Sequence, residues 1–499
     1  MKAFLMYKDH DFDPERKLPS NEQALTQDLE LNTLFDAMAL GDKFLFEVAK
    51  KAVLSSLNDP DMILYRQNIL KDCLKNYSIV RDIYDIVVAA IENKKSYYFG
   101  IFTKYPTSIL RNSIEWLQMF VSLLKRLRNI ADEHADKFES EGFTAFFATL
   151  NKELGDEYFV SIQNHLRELK FYNGVLISAE LGKGNEGTNY ILRKPQNKKQ
   201  SWVKRVFAKN PLVYTIQIPE RDESGDRALA ELRDRGINIV ANVLAQSTDH
   251  IRSFFTMLRT ELAFYVGCLN LYERLAQKGA PICFPVPAAH DERRHSFKGL
   301  YDVCLALILE QRIVGNDVNA DNKDFVLITG ANQGGKSTFL RSIGLSQLMS
   351  QCGMFVPAEF FCSNVSEGLF THYKREEDAT MKSGKLDEEL GRMSDIADNI
   401  TSDHMVLFNE SFAATNEREG SEIARQIICA LLEKRIKVFF VTHLYEFARG
   451  FYDKKKENAI FLRAERQADG GRTFKVIEGE PLQTSYGDDL YNKIFGIDK

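Results

Sequence analysis

The chain has 499 residues, of which 44% are hydrophobic and 27% are charged, and its formal net charge is −5. This length accommodates roughly two to four domains with a large buried core. A protein coated evenly for nucleic acid would be basic, so any such surface must be local. No apolar run is long enough to span a membrane, and the first residues lack the pattern of a signal peptide. We therefore expect a cytoplasmic globular protein.

The cysteines are odd in number, and no pair has the spacing of metal ligands. Most of them lie in apolar stretches, which indicates buried free thiols in a reducing compartment. They are Cys73, Cys268, Cys283, Cys304, Cys352, Cys362 and Cys429.

The first third of the chain, residues 1–172, is predicted to be a helical domain. A buried helical stripe is formed by Leu31, Leu34, Phe35 and Met38. The break at residues 58–60, Asn-Asp-Pro, is typical of a helix cap followed by a first-turn proline. Further helices are predicted over residues 109–130 and 155–170.

The pattern changes near residue 171, where glycine-containing turns separate short strand-like runs. These runs cover residues 175–177, 190–192 and 212–218. From residue 226 a single apolar-striped helix is predicted to about residue 277. We interpret residues 173–225 as a small β-rich module inserted between long helices.

The inserted module carries a basic stretch without an acidic residue between residues 190 and 210. Such a stretch can contact nucleic-acid phosphates, or it can be a solvated basic loop. Both interpretations stay open. The basic residues are Arg193, Lys194, Lys198, Lys199, Lys204, Arg205 and Lys209.

After residue 300 the pattern becomes α/β. Apolar runs at residues 325–329, 405–408 and 438–442 alternate with helical segments, which indicates a sheet with buried central strands. We therefore assign residues 226–300 to a returning helix and a linker, and residues 301–499 to an α/β domain.

The strongest motif is the loop between the first of these strands and a helix over residues 339–352. It fits G-x-x-x-x-G-K-[ST], the phosphate-binding loop. Its candidate nucleotide-binding residues are Gly330, Asn332, Gly334, Gly335, Lys336, Ser337 and Thr338. Glycines let backbone N–H groups face phosphate oxygens, and the helix N-terminus adds positive potential. We expect Lys336 to reach the β- and γ-phosphates of ATP and Ser337 to hold Mg²⁺.

Three further signals lie after the phosphate loop in the chain. The second apolar strand ends in Asn409-Glu410, where Asn409 is the candidate metal-side residue and Glu410 can orient or deprotonate a water molecule. His443 ends the next strand and can contact the γ-phosphate, although a histidine there is often structural. Between the phosphate loop and Glu410, Ser383-Gly384 precedes a helix, as an ordinary N-cap or a phosphate contact.

These motifs, in this order, resemble the ATPase domain of ABC-type proteins, and in detail that of the MutS family. The resemblance rests on residues 329–338 (TGANQGGKST), residues 355–359 (FVPAE), Thr442-His443 and residues 485–487 (SYG). It is specific over residues 320–490 and architectural before them. It implies a helical core and lever at residues 1–172, a clamp at residues 173–225, a dimer formed through the ATPase heads, and DNA as partner. Ser383 and Gly384 would contact the ATP held by the other subunit.

The sequence departs from the family pattern in four places. The acidic pair after the second strand is Asn409-Glu410 here, which weakens the expected Mg²⁺ site. The mismatch-reading Phe-x-Glu motif is absent from the front, since its one occurrence is Phe408-Asn409-Glu410 in a buried strand. The front is also too short for the mismatch and connector domains, and the chain ends at Lys499, soon after residues 485–487, so we expect the dimer-supporting helices to be largely missing.

The sequence thus predicts an ATP- and Mg²⁺-dependent DNA-binding ATPase with Lys336, Glu410 and His443 as catalytic residues and no mismatch readout. A nucleotide-gated scaffold with slow or no turnover is the main alternative, favoured by Asn409. A small-molecule kinase explains the phosphate loop but not His443, the Ser-Gly segment or the long helices.

Overall fold

The computed structural model describes residues 1–92, 105–172, 174–194, 214–375, 384–467 and 471–482. The chain forms two compact units. The first consists of residues 1–3, 82–136 and 145–259, and the second of residues 4–81, 137–144 and 260–499. The protein is helix-rich with several sheets, and all seven cysteines are free.

The N-terminal part consists mainly of helices from residue 22 onward. Its helices are α1 (Glu22–Asp28), α2 (Leu31–Ala39), α3 (Lys43–Leu54), α4 (Pro60–Lys75), α5 (Tyr77–Ile91), α6 (Pro106–His134), α7 (Glu141–Glu153) and α8 (Asp156–Glu168). The start of α4 follows from its sequence: the Asp59 carboxylate accepts a hydrogen bond from Asp61 N, and Pro60 occupies the first turn.

In the first unit, α6 and α8 pack around an apolar cluster that includes Leu110, Leu117, Leu166 and Ile237. A two-stranded antiparallel sheet follows, formed by β1 (Leu176–Leu181) and β2 (Gly187–Arg193). The helix α9 (Glu223–Gln277) comes next in the chain.

The strand predicted at residues 212–218 is wrong for its described part. Residues 214–218 are not in a strand. Tyr214 and Ile216 are 84% and 87% exposed, so no described residue packs closely against them, and Pro219 removes a backbone donor shortly after them.

The second unit contains two mixed sheets. The strands are β3 (Val286–Ala288), β4 (His295–Leu300), β5 (Asn316–Asn319), β6 (Phe325–Thr329), β7 (Phe360–Asn364), β8 (Leu369–Tyr373), β9 (Met405–Asn409), β10 (Lys437–Val441), β11 (Ala459–Arg466) and β12 (Arg472–Glu478). The six-stranded sheet has the order β12-β11-β6-β10-β9-β8, with all neighbours parallel except β11 and β12. The four-stranded sheet has the order β3-β7-β4-β5.

Helices flank these strands and cover the central part of the six-stranded sheet. They are α10 (Val303–Ile308), α11 (Lys336–Gln351), α12 (Lys385–Asn399), α13 (Glu417–Glu433) and α14 (Tyr445–Tyr452). Strands β6 and β10 are buried along their whole length, as is typical of parallel strands covered on both faces.

The units differ from the segments predicted from the sequence. Residues 4–81 cluster with the α/β part, where for example the buried Gln351 amide donates to Leu57 O at 2.8 Å. The region predicted as a linker before residue 300 contains β3 and β4, which pair with β7.

Candidate nucleotide-binding site

The loop between β6 and α11 is shaped by glycines, because at their positions a side chain would strain the backbone or contact β11 too closely. Gly330 and Gly335 have φ angles of +114° and +85°, a region that L side chains rarely adopt. A Cβ atom on Gly330 would lie 2.8 Å from Ala464 N, and one on Gly334 would lie 2.8 Å from Ala464 Cβ. The glycines therefore allow the loop to curl tightly against β11 while α11 begins at its end.

Lys336 is the first residue of α11 and is only 5% exposed. Its Nζ donates hydrogen bonds to Gly330 O at 3.0 Å and to Ala331 O at 2.9 Å. Burial lowers the pKa of Lys336 to about 8, although the nearby Glu410 carboxylate opposes this change. The ammonium group is thus held inside the loop.

The next residue, Ser337, contacts the end of β9. Its Oγ donates to Asn409 Oδ1 at 3.0 Å. The strand order explains this contact, because β6, β10 and β9 are parallel neighbours whose carboxyl ends meet at the loop.

The two oxygen atoms of Ser337 and Asn409 fit a Mg²⁺ ion that takes most of its ligands from phosphates and water. They are hard oxygen donors on one side of the loop, but neither is charged. Among the described residues, no group of three or more His, Cys, Asp or Glu residues could hold a metal ion by itself.

Glu410 and His443 form a pair beside the lysine. His443 Nε2 lies 3.1 Å from Glu410 Oε1 and donates to it. This hydrogen bond holds the pKa of Glu410 below its ordinary value, so the carboxylate is ionised at neutral pH. Glu410 has a left-handed backbone, with φ of +55°, and its N–H donates to Val441 O at 2.9 Å.

The remaining predicted residues have different outcomes. Asn332 is exposed in the loop, and Thr338 lines a neighbouring cavity. Gly384 is the N-cap residue of α12, whereas Ser383 lies outside the described residues. The DNA-contact residues Lys198, Lys199, Lys204, Arg205 and Lys209 also lie outside the described residues.

Sequence reasoning missed the hairpin formed by β11 and β12. Arg472 Nη1 donates to Oε1 of the loop residue Gln333 at 2.9 Å, and the Arg472 charge contributes to the lowered pKa of Lys336. Phe474 is half-exposed with φ of +59° and lies against Gly335. No local pattern signals these residues, because they reach the loop only through the pairing of β11 with β6.

Phe474 also lines a cavity of about 460 Å³ that opens beside the phosphate loop. Its walls include Tyr301, Ile313 and Val314, together with the loop residue Gln333. The cavity combines apolar and aromatic walls with the polar loop, which is the composition of a site for a planar base next to phosphates.

A buried strand, a glycine loop with a lysine, and a following helix define a phosphate-loop fold. Family comparisons go further. A family model described as "MutS2 N-terminal domain" matches residues 58–278, and one described as "MutS domain V" matches residues 326–494. The chain belongs to the MutS family.

Similar curated proteins include the "DNA mismatch repair protein MutS" of Thermotoga maritima, 36% identical over 191 residues, which are 38% of this chain and 24% of that protein. The human "MutS protein homolog 4" is 25% identical over 246 residues, or 49% of this chain and 26% of that protein. The Prochlorococcus marinus (strain AS9601) "DNA mismatch repair protein MutS" is 25% identical over 336 residues, 65% and 34% of the two chains. The chain thus spans about a quarter to a third of the length of these relatives.

Within the described ranges, no helix is both long enough and apolar enough to cross a lipid bilayer.

Proposed function

We propose that this protein is a MutS-like ATPase that binds DNA and uses ATP binding and hydrolysis to change how it holds the DNA. The observation that carries the proposal is the grouping of three elements at the ends of parallel strands. These are the buried Lys336, the Ser337–Asn409 oxygen pair and the Glu410–His443 pair.

ATP binding requires Lys336 to exchange its two carbonyl partners for phosphate oxygens. Loop N–H groups and the N-terminus of α11 stabilise the same negative charge. The base would enter the cavity beside Phe474, and Arg472 would leave Gln333 for a phosphate oxygen, since a guanidinium binds phosphate in a planar geometry.

Hydrolysis follows from the Glu410 carboxylate. A water molecule held by Glu410 attacks the γ-phosphorus, and its proton passes to the carboxylate as the new P–O bond forms. The bond to the bridging oxygen breaks, which releases ADP and inorganic phosphate. His443 orients the carboxylate. When bound beside Ser337 and Asn409, Mg²⁺ supplies positive charge to the phosphate oxygens.

The partners are proposed on the same basis. Two heads would enclose each ATP between the phosphate loop of one subunit and the Ser383-Gly384 segment of the other, so that ATP stabilises the dimer. The module around β1 and β2 would act as a DNA clamp without reading mismatched bases.

A second function is supported by Asn409. A neutral amide at the metal side of the loop favours a nucleotide-gated scaffold that binds ATP, changes shape and turns over slowly. The two functions differ in whether DNA stimulates phosphate release.

The test combines ATP turnover with a gel-shift panel of duplex, mismatched, branched and single-stranded DNA, with and without ATP. We expect DNA-stimulated turnover in the wild type and none in Lys336→Ala, with equal binding to matched and mismatched duplex. ATP-dependent shape change without DNA-stimulated turnover would establish the scaffold instead. No ATP binding by the wild type would refute both.

A further inference from the structure

The first unit contains a cleft of about 670 Å³ between α6 and α8. We call it the basic cleft. Its floor includes the buried side chains Val121 and Leu166. Its walls carry Lys125, Arg126, Arg167 and Lys170, and none of the described residues that line it is acidic. This concentration of positive charge occurs in a chain whose acidic residues outnumber its basic ones, 70 to 65.

Helical spacing brings these charges together. On α6, the lining residues Gln118, Ser122, Lys125, Arg126 and Asn129 recur at intervals of three or four residues, which places them on one face. Gln163 and Arg167 have the same relation on α8, and Lys170 follows one turn later. The cleft is therefore bordered by two facing polar surfaces.

None of these four cations forms an ion pair or a side-chain hydrogen bond with another residue in the described part of the chain. Nearby cations behave differently: Arg111 pairs with Glu115, and Lys194 pairs with Glu168.

The helix dipole explains only one of the four cations. A cation in the last turn of a helix is stabilised by the helix dipole, and this effect explains the position of Arg167 in the last turn of α8. Lys125 and Arg126 lie more than one turn before the end of α6 at His134, beyond the reach of that effect. Four like charges around one cleft repel one another, and a bound polyanion would remove this repulsion.

We propose that the basic cleft binds the phosphodiester backbone of a nucleic-acid strand. Residues 118 to 129 of α6 extend over about 16 Å, at a rise of about 1.5 Å per residue. Measured along the axis of B-DNA, where each strand carries one phosphate per about 3.4 Å, that length passes about five phosphates, whereas a single free phosphate would occupy one end. The amides of Gln118, Asn129 and Gln163 lie on the same two helices as the cations and can donate hydrogen bonds to phosphate and sugar oxygens.

Tyr172 supports a nucleic acid over a simple polyanion. It lines the cleft with 78% of its surface exposed, so its ring is free to contact a sugar or a base. None of the described residues that line the cleft belongs to the basic stretch at residues 193–209. The inference rests on the proposed function in that DNA is the partner.

The test is the salt dependence of DNA binding by the full-length protein, measured by fluorescence anisotropy between about 50 and 200 mM salt. The probe is a short duplex of random sequence. Replacing Lys125, Arg126, Arg167 and Lys170 by Gln should lower the slope of log affinity against log salt by about 0.9 per lost phosphate contact, or roughly 3 to 4 in total. The charge-preserving exchanges Lys125→Arg, Arg126→Lys, Arg167→Lys and Lys170→Arg should leave the slope near the wild-type value.

A matched control removes cations that already have acidic partners. Arg111→Gln with Arg227→Gln should change the slope by less than Arg126→Gln with Arg167→Gln, because Glu115 and Glu223 neutralise the control arginines. Thermal unfolding of each variant at equal pH shows whether it is folded, and ATP turnover without DNA reports on the head separately.

Two outcomes would overturn the inference while the proposed function stands. The first is a wild-type slope in the four-residue Gln variant. The second is loss of inorganic phosphate binding by that variant, measured by calorimetry, with the DNA slope unchanged, which would assign the cleft to a small anion. No DNA binding by the wild type at low salt, with ATP turnover intact, would refute the inference together with the DNA part of the proposed function.

Discussion

ATP binding should take up a proton through Lys336. In the nucleotide-free protein the ammonium group is buried against two carbonyl oxygens, and burial lowers its pKa to about 8. Phosphate oxygens of ATP place negative charge next to it, which favours the protonated form and raises the pKa again. A lysine that is neutral before binding must therefore acquire a proton on binding.

The magnitude follows from the pKa of about 8. At pH 7 about one tenth of the molecules have a neutral Lys336, at pH 8 about half, and at pH 9 about nine tenths. Proton uptake per ATP should rise in the same proportions. ATP affinity should therefore decrease as the pH rises. Above pH 8 it should fall by up to about tenfold per pH unit, and below pH 7 it should no longer depend on the protonation of Lys336.

Isothermal titration calorimetry measures the uptake directly. At each pH the observed enthalpy is compared between buffers of different ionisation enthalpy, since uptake makes the enthalpies differ in proportion. The terminal phosphate has lost its last proton by pH 8, so the nucleotide contributes little there. Lys336→Arg is the control, because a guanidinium stays protonated at pH 9. Equal enthalpies in all buffers at pH 9 for the wild type would refute the reasoning.

Four further outcomes are expected. Glu410→Gln should retain ATP affinity but slow hydrolysis about 10²–10⁴-fold and accumulate an ATP-bound dimer in size-exclusion chromatography, whereas unchanged hydrolysis would remove Glu410 from its role. Asn409→Asp should lower the Mg²⁺ concentration needed for half-maximal turnover, and superimposable Mg²⁺ titrations would contradict this. Arg472→Ala should weaken ATP binding by about 1.5–3 kcal/mol in calorimetry, more than Arg472→Lys does; wild-type affinity in the alanine variant would exclude the phosphate contact. His295 is fully buried among phenylalanine rings, and burial lowers its pKa well below the ordinary value. Only the unfolded state then binds its proton below about pH 6.5, so stability falls with acid, and His295→Phe should lose less Tm between pH 7.5 and pH 5 than the wild type. Equal losses would refute this.

The central strands could be predicted because burial on both faces leaves a local signal. The apolar runs at residues 325–329, 405–408 and 438–442 agree within one residue with β6, β9 and β10. The long helix predicted over residues 226–277 is observed as Glu223–Gln277. Each of these elements carries enough apolar residues for its pattern to be read without its neighbours.

The four-stranded sheet could not be predicted in this way. Strand β4 contains His295, Ser296, Lys298 and Gly299, and β3 has three residues, of which one is a proline. Both obtain their strand geometry from pairing with β7, which lies more than 60 residues later in the chain. Local strand propensity does not predict such strands, because pairing between distant parts of the chain decides their structure.

The residues of the candidate site likewise fall into those that a local pattern predicts and those that depend on pairing between distant strands. The phosphate loop is a contiguous motif, and Glu410 and His443 end strands whose order makes them meet. Arg472 has no such signal, because its position depends on two successive pairings, of β6 with β11 and of β11 with β12. Sequence reasoning therefore identified the residues at the ends of the central strands and missed the side chain that the edge hairpin supplies.

Asn409 and Arg472 together change the charge around the nucleotide in one direction. An acid at position 409 would place a second carboxylate in the site beside that of Glu410. With the neutral amide of Asn409, the two positive charges of Lys336 and Arg472 face only one carboxylate, that of Glu410. A site with this surplus of positive charge attracts the phosphates directly and depends less on Mg²⁺ to neutralise them. Turnover still needs the ion, because the developing charge on the transferred phosphoryl group must be neutralised during the reaction. We therefore expect ATP affinity to persist in the presence of a chelator, while hydrolysis is lost.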